Sequence, residues 1–429
     1  MPILPAWLLP RRRAAATLLC LGAAAACRPL GDTPARAADL PAEAPAPDAP
    51  AATYDAFGFA LLGRLAADAP GRNAVISPAS AGLALAMALE GAAGDTHDSL
   101  AATLGLRGGD PGAVTAQNGA LLRALRDAPE VTLAVANAMW GRADVRFDPA
   151  FLSRVRGDYG AEVAALDLST PAALARINAW ASTATRGKVP QLLADPPAPD
   201  VALVLANAVY FKGRWASAFA PERTAERTFH RADGTTRAHP MMAQEGDFGY
   251  TVGEGFRLAR LPYRGGQFSM YVLLPDSGQS LATLTDRLTA ARFRAAVAAA
   301  APRPLALVLP RFTLACAADL RLPVAALGAG NAFDPDRADF RRLLAPAGAG
   351  IRRVWLSRAL QRSVIEVNEE GTEAAAATAV EASGDSAVVV PPVPFTVDHP
   401  FLFAIRHDPT GALLFVGRVT DPAGDCGRQ

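Results

Sequence analysis

Lysine is almost missing from this chain of 429 residues: Lys188 and Lys212 are the only two, and arginine carries nearly all the positive charge. With 42 Lys+Arg against 41 Asp+Glu the formal net charge is +1, and charged residues make up 19% of the chain. That balance offers no basic surface to a nucleic acid and no charge excess that would keep the chain unfolded. Cysteine is scarce as well. Cys20, Cys27, Cys316 and Cys426 are too few for a disulfide framework, and none sits at metal-ligand spacing, so neither metal nor cofactor is expected. The five histidines, His97, His230, His239, His399 and His407, fall in no H-E-x-x-H motif, and no Cys-x-x-Cys, P-loop or G-x-S-x-G occurs. Metalloprotease, NTPase and α/β-hydrolase chemistry thereby lose their usual anchors.

What the chain does have begins with Arg11, Arg12 and Arg13 ahead of an apolar stretch, Ala14 to Ala26, broken only by Thr17 and Gly22. A basic start and an apolar stretch too short to span a bilayer comfortably predict a signal peptide over 1–27, and hence export, to the medium or the cell envelope. Cys27 follows Ala24-Ala25-Ala26 and resembles the lipidated cysteine of a bacterial lipoprotein, with Ala24 where leucine is usual. Two readings stand: a membrane anchor at Cys27, or a plain signal peptide cut near Ala35-Arg36-Ala37. Residues 28–52 are rich in Ala and Pro and read as a linker. Residues 53–422 hold no second low-complexity break and read as one domain, with 423–429 as a tail. Whether Cys316 and Cys426 pair is left open.

Within that domain Ser77-Pro78 supplies a hydroxyl cap and a first-turn proline for a helix over Ala79 to Ala93, with Gly91 and Gly94 ending it. Val201 to Phe211 has the β-branched content of a central strand. Further strands are expected at Phe268 to Leu274, Leu305 to Leu309, Val364 to Val367, Phe401 to Arg406 and Leu413 to Val419. Helices gather early and strands late, which predicts an α+β fold.

The most unusual stretch runs from Glu366 to Val380, where a strand-like segment gives way to a glycine and then to small residues. Read with period two, Thr372, Ala374, Ala376, Thr378 and Val380 share one face, with Glu373 and Glu381 on the other. Small groups on one face fit a crowded sheet interior, and carboxylates on the other stay in water. Alanine also favours helix, so an Ala-rich surface helix is the competing reading.

These residues resemble the serpin family. Glu369-Glu370-Gly371-Thr372-Glu373-Ala374-Ala375-Ala376-Ala377-Thr378 is similar to the hinge of an inhibitory reactive-centre loop. Asn73-Ala74-Val75-Ile76-Ser77-Pro78-Ala79-Ser80 and Leu205-Ala206-Asn207-Ala208-Val209-Tyr210-Phe211-Lys212-Gly213-Arg214-Trp215 resemble its early shutter segment and its central-strand and breach motif. Pro240-Met241-Met242, Ala338-Asp339-Phe340, Asp398-His399-Pro400-Phe401-Leu402-Phe403 and Leu414-Phe415-Val416-Gly417-Arg418-Val419 follow in the expected order.

The resemblance implies a serpin fold of three β-sheets and about nine helices with an exposed reactive-centre loop. It implies suicide inhibition of a serine, or a cysteine, endopeptidase: the protease cuts the loop, and the cut loop enters the main sheet with the acyl-enzyme attached. Ser77, Ser80 and Asn207 then belong to the shutter, Gln361 takes a place where histidine is common, and Trp215 and Glu369 belong to the breach. The scissile bond falls in a window of Asp385, Ser386, Ala387, Val388, Val389 and Val390, because counting from either end gives different bonds. The small aliphatic residues there suit an elastase-like or subtilisin-like protease as partner, met by a monomer that is itself no enzyme. Two alternatives are a noninhibitory serpin-fold binding, storage or chaperone protein, and an exported serine hydrolase using Ser386 of Gly384-Asp385-Ser386.

Overall fold

Capping signals and apolar runs organise the first half of the chain into helices. The computed structural model describes residues 50–126, 130–346, 353–371 and 391–426, with side chains from residue 54, and all of them lie in one unit. The signal segment with Cys27, the hinge residues Thr372 to Thr378 and the window Asp385 to Val390 lie outside the described residues. Nine α-helices are described: α1 (Pro50–Asp68), α2 (Pro78–Gly91), α3 (Gly94–Thr103), α4 (Pro111–Arg126), α5 (Pro149–Tyr159), α6 (Pro171–Ala184), α7 (Leu281–Arg287), α8 (Ala290–Ala299) and α9 (Arg321–Val324). Ser77 caps α2 by accepting from the Ser80 N–H at 3.4 Å, with Pro78 in the first turn as expected. Only Glu90 on α2 escapes burial, because the helix is packed on every side. Gly82 permits its contact with α1, where an added Cβ would meet the Tyr54 ring at 2.4 Å. Helix α1 begins at Pro50, so the linker ends a few residues earlier than its composition suggests; proline at the first turn and two alanines after it favour that start.

The strands are β1 (Ala74–Ile76), β2 (Val131–Arg142), β3 (Glu162–Leu166), β4 (Leu203–Gly213), β5 (Ala225–His230), β6 (Thr236–Gly253) and β7 (Phe256–Pro262), followed by β8 (Phe268–Pro275), β9 (Ala301–Pro310), β10 (Phe312–Asp319), β11 (Leu356–Val367), β12 (Val393–Thr396), β13 (Phe401–His407) and β14 (Leu413–Val419). Five of them form one sheet in the order β10-β11-β4-β2-β3; the other nine form a second, in the order β1-β14-β13-β8-β7-β6-β9-β12 with β5 on β6. The fold is α+β. The implied three sheets appear as two hydrogen-bonded networks among the described residues. The reason is β6, whose 18 residues pair with β5 at one end, β7 at the other and β9 between, fusing two sheets into one ladder. Strand β11 starts eight residues before the expected Val364, because Ala359, Gln361 and Ser363 face inward while Arg358, Leu360 and Arg362 are half-exposed; the polar inward residues hide the alternation.

Just past the end of β13 lies a partly buried polar knot. Asp408 accepts from Arg260, Ser269, Tyr271 and Arg406 at 2.6 to 2.9 Å, and Asp55 on α1 accepts from the Leu413 N–H at 3.1 Å. Burial pushes the Asp55 carboxyl up to about 7, against the Leu413 N–H and the nearby Arg406 and Arg294, which favour its charged form. An acid raised in the fold contributes stability that is full below pH ~4 and fades as pH rises through about 7. His407 has the opposite sign, since burial lowers it to about 4, so the total curve mixes the two. The Asp55→Asn chain is therefore expected to gain stability relative to wild type between pH ~4 and 7, read as the difference of two urea titrations at each pH. A difference that does not change with pH contradicts the reading.

Candidate functional site

Strands β4 and β11 run side by side in parallel and are bonded directly to each other, from Leu203 beside Leu356 to Tyr210 beside Val364. Antiparallel ladders flank this seam, with β10 on β11 and β2 on β4. Parallel pairing is slightly less stable per residue, so this seam, flanked by antiparallel ladders, is a weak line through the middle of the sheet, as the shorter parallel β2/β3 ladder is at its edge.

Beneath the seam the predicted shutter residues come together. Gln361 of β11 accepts from the Ser77 N–H at 2.8 Å and donates to the Ser77 carbonyl at 3.2 Å and to Asn207 Oδ1 at 2.8 Å. Asn207 of β4 places its amide nitrogen by Ser80 Oγ, by Asn137 Oδ1 at 2.7 Å and by the Ala136 carbonyl at 3.3 Å. Ser77, Ser80, Asn137, Asn207 and Gln361 are all at least 98% buried. One amide thus ties both seam strands to the start of α2, with no titrating group in the network. Asn137, directly opposite Asn207 in the β2/β4 ladder, is the member sequence reading missed. Its signal was present: Ala136-Asn137-Ala138 repeats Ala206-Asn207-Ala208.

At the upper end of the seam the breach residues also converge. Trp215, just past β4, stacks on Tyr263 with ring centroids 4.5 Å apart and donates from its indole to the Asn368 carbonyl at 2.9 Å. The Trp215 and Phe219 N–H groups donate to the carbonyls of Glu370 and Glu369 at 2.9 and 2.8 Å. The buried Glu369 carboxylate accepts from Thr224 Oγ1 at 2.6 Å and from the Arg311 guanidinium. Burial pushes Glu369 up, but these partners outweigh it and hold its pKa below the ordinary value. Arg311 and Thr224 were not legible in the sequence, because they lie far from Glu369 along the chain: Arg311 reaches it from the β9–β10 junction and Thr224 from the turn before β5.

The chain reverses at Asn368 to Gly371, with the Asn368 N–H donating to the Gly371 carbonyl at 2.9 Å. Gly371 then forms an antiparallel bridge to Arg214, immediately beyond β4. At φ +141° only glycine is comfortable, and an added Cβ would lie 2.2 Å from the Gly213 carbonyl oxygen. Of the residues predicted as the hinge, Glu369, Glu370 and Gly371 are described, and they sit at the upper end of the β4/β11 seam.

A family model described as Serpin (serine protease inhibitor) matches residues 52–422. The chain belongs to the serpin family. Among curated serpins, leukocyte elastase inhibitor of Bos taurus is 36% identical over 380 residues, covering 85% of this chain and 97% of the relative. Glia-derived nexin of Mus musculus is 34% identical over 375 residues, covering 85% and 91%. Among solved serpin structures, native tengpin, a thermophilic serpin, matches with a TM-score of 0.80 at 26% identity, covering 87% of this chain and 94% of that one. Human thyroxine-binding globulin, solved in complex with thyroxine, matches at 0.79 and 26%, covering 87% and 98%, so proteins of this fold include a ligand binder as well as inhibitors. Among the described residues no helix is long and apolar enough to cross a membrane, and no group of three His, Cys, Asp or Glu could hold a metal.

Proposed function

We propose that this serpin is a suicide inhibitor of serine endopeptidases, acting by inserting its cut reactive-centre loop between β4 and β11. The observation that carries this reading is the Gly371 bridge. A chain leaving β11 and reversing at Asn368 to Gly371 runs antiparallel to both β11 and β4, and Gly371 already supplies the first rung beside β4. Continuing down the seam exchanges one parallel ladder for two antiparallel ones. Each added hydrogen bond brings only about 0.5–1.5 kcal/mol, against about 1–2 kcal/mol of backbone entropy per ordered residue, so burial of the small inward face must supply the remainder. Thr372, Ala374, Ala376 and Thr378 carry nothing bulky to oppose it. The name of one relative, leukocyte elastase inhibitor, and the aliphatic window Ala387 to Val390 favour an elastase-like target. The test is to mix the chain with elastase-like and subtilisin-like proteases; an SDS-stable complex with at least one, with cleavage between Asp385 and Val390, is expected. Cleavage without any complex sinks the reading and leaves the noninhibitory one.

The same reading takes the protein as an exported monomer, anchored through Cys27 when that residue is the mature N-terminus. A Cys27→Ser chain should then leave the membrane fraction with inhibition intact, and unchanged fractionation contradicts the anchor.

A further inference from the structure

A cavity of about 520 Å³ between α2, α3 and α4 is rimmed by acids (Glu90, Asp95, Asp98) and by Arg107 and Arg342 alike, and selects no ligand by charge. A disulfide says more. Cys316 of β10 and Cys426 beyond β14 are bonded, with Cα atoms 5.2 Å apart across 110 residues of sequence. Both are 4% exposed, Cys316 on the inward face with Phe312 and Leu314.

The partner end of this bond is firmly held. Asn73, just before β1, accepts from the Thr420 N–H at 2.7 Å and donates to the Asp421 and Gly424 carbonyls at 2.7 and 2.9 Å. The Asp421 carboxylate meets Arg237 at 3.2 Å and Arg231 at 3.6 Å. Residues 423–426, read from sequence as a tail, are therefore part of the body. Among the described residues strand β10 is an edge strand, laddered only to β11. Its upper end leaves β9 of the nine-stranded sheet with Arg311 alone between them. Cys316 adds a second covalent attachment lower down. The half made of β4, β2 and β3 carries no disulfide among the described residues.

We propose that the Cys316–Cys426 disulfide pins β10, and β11 through it, to the segment held against the nine-stranded sheet, so that breaking the bond loosens this side of the seam and not the β2/β3 side. The test needs no protease. Hydrogen exchange followed by mass spectrometry compares the oxidised full chain with Cys316→Ser/Cys426→Ser. Exchange in 312–319 and 356–367 is expected to rise at least tenfold in the variant, while 131–142, 162–166 and 281–299 stay within twofold. Reduction of wild type with dithiothreitol gives the same comparison without substitution: the reagent's two thiols become a disulfide, and its two electrons and two protons leave Cys316 and Cys426 as free thiols. Uniform acceleration over all segments marks a general stabiliser only and overturns the proposal. So does unchanged exchange in β10 and β11. A chain that behaves as expected here yet traps no protease refutes the inhibitor reading and leaves this one standing.

Discussion

A Thr372→Arg chain is expected to be cut by the target protease as fast as wild type, with the SDS-stable complex reduced at least tenfold. Thr372 follows Gly371, whose bridge to Arg214 sets the register at the mouth of the seam. By the period-two alternation its side chain faces inward once the segment enters as a strand. The space beneath is the packed interior around Val209, Phe211 and Ile365, each at most 1% exposed. A guanidinium brought there without a partner loses its hydration, at a cost of several kcal/mol. Insertion then slows at its first step while the distant scissile bond remains as accessible as before. Hydrolysis completes before the protease is moved, and the chain becomes a substrate. Trapping at the wild-type yield would place Thr372 on the outer face and overturn the proposed alternation.

Asn207→Leu is expected to produce the largest loss of stability. The substitution leaves the Gln361 Nε2–H and Asn137 Oδ1 without their Asn207 partner in a region at least 98% buried, and Ser80 Oγ loses a donor. Each orphaned buried group costs about 1–3 kcal/mol, so a loss of about 4 kcal/mol is expected, against net stabilities of about 5–15 kcal/mol. Thermal or urea unfolding of the purified chain measures it. A double variant, Asn207→Leu with Asn137→Leu, is expected to lose less than the sum of the two single changes, because one interaction is removed in both. Full additivity would show that the two amides are energetically independent despite their 2.7 Å contact.

Much of this site could be read from the chain because its residues sit in contiguous motifs. Ser77-Pro78 announces a capped helix, and the long apolar run with one asparagine announces a central strand with a buried polar group in it. The reversal at Gly371 is legible as a glycine between a strand and a small-residue run, but not its rung to Arg214, which depends on where β4 ends. Arg311 is ordinary in sequence and becomes the partner of Glu369 only because β9 passes into β10 beside the breach. Pairing of Cys316 with Cys426 needed the position of the last residues against β10, information carried by tertiary packing and by no local pattern. The length of β6, which fuses two sheets, was hidden for a related reason: its burial follows no regular alternation, since different stretches pair with different neighbours.

The central claim is that the seam between β4 and β11 admits the cut loop, and thermal melting before and after cleavage tests it most directly. The intact chain and the same chain nicked between Asp385 and Val390 are melted under identical conditions, with hydrogen exchange recorded over 203–213 and 356–367. Two antiparallel ladders in place of one parallel seam should raise the melting temperature by at least about 10 °C and slow exchange in both segments. A nicked chain that melts with the intact one, with exchange along β4 and β11 unchanged, would contradict the account.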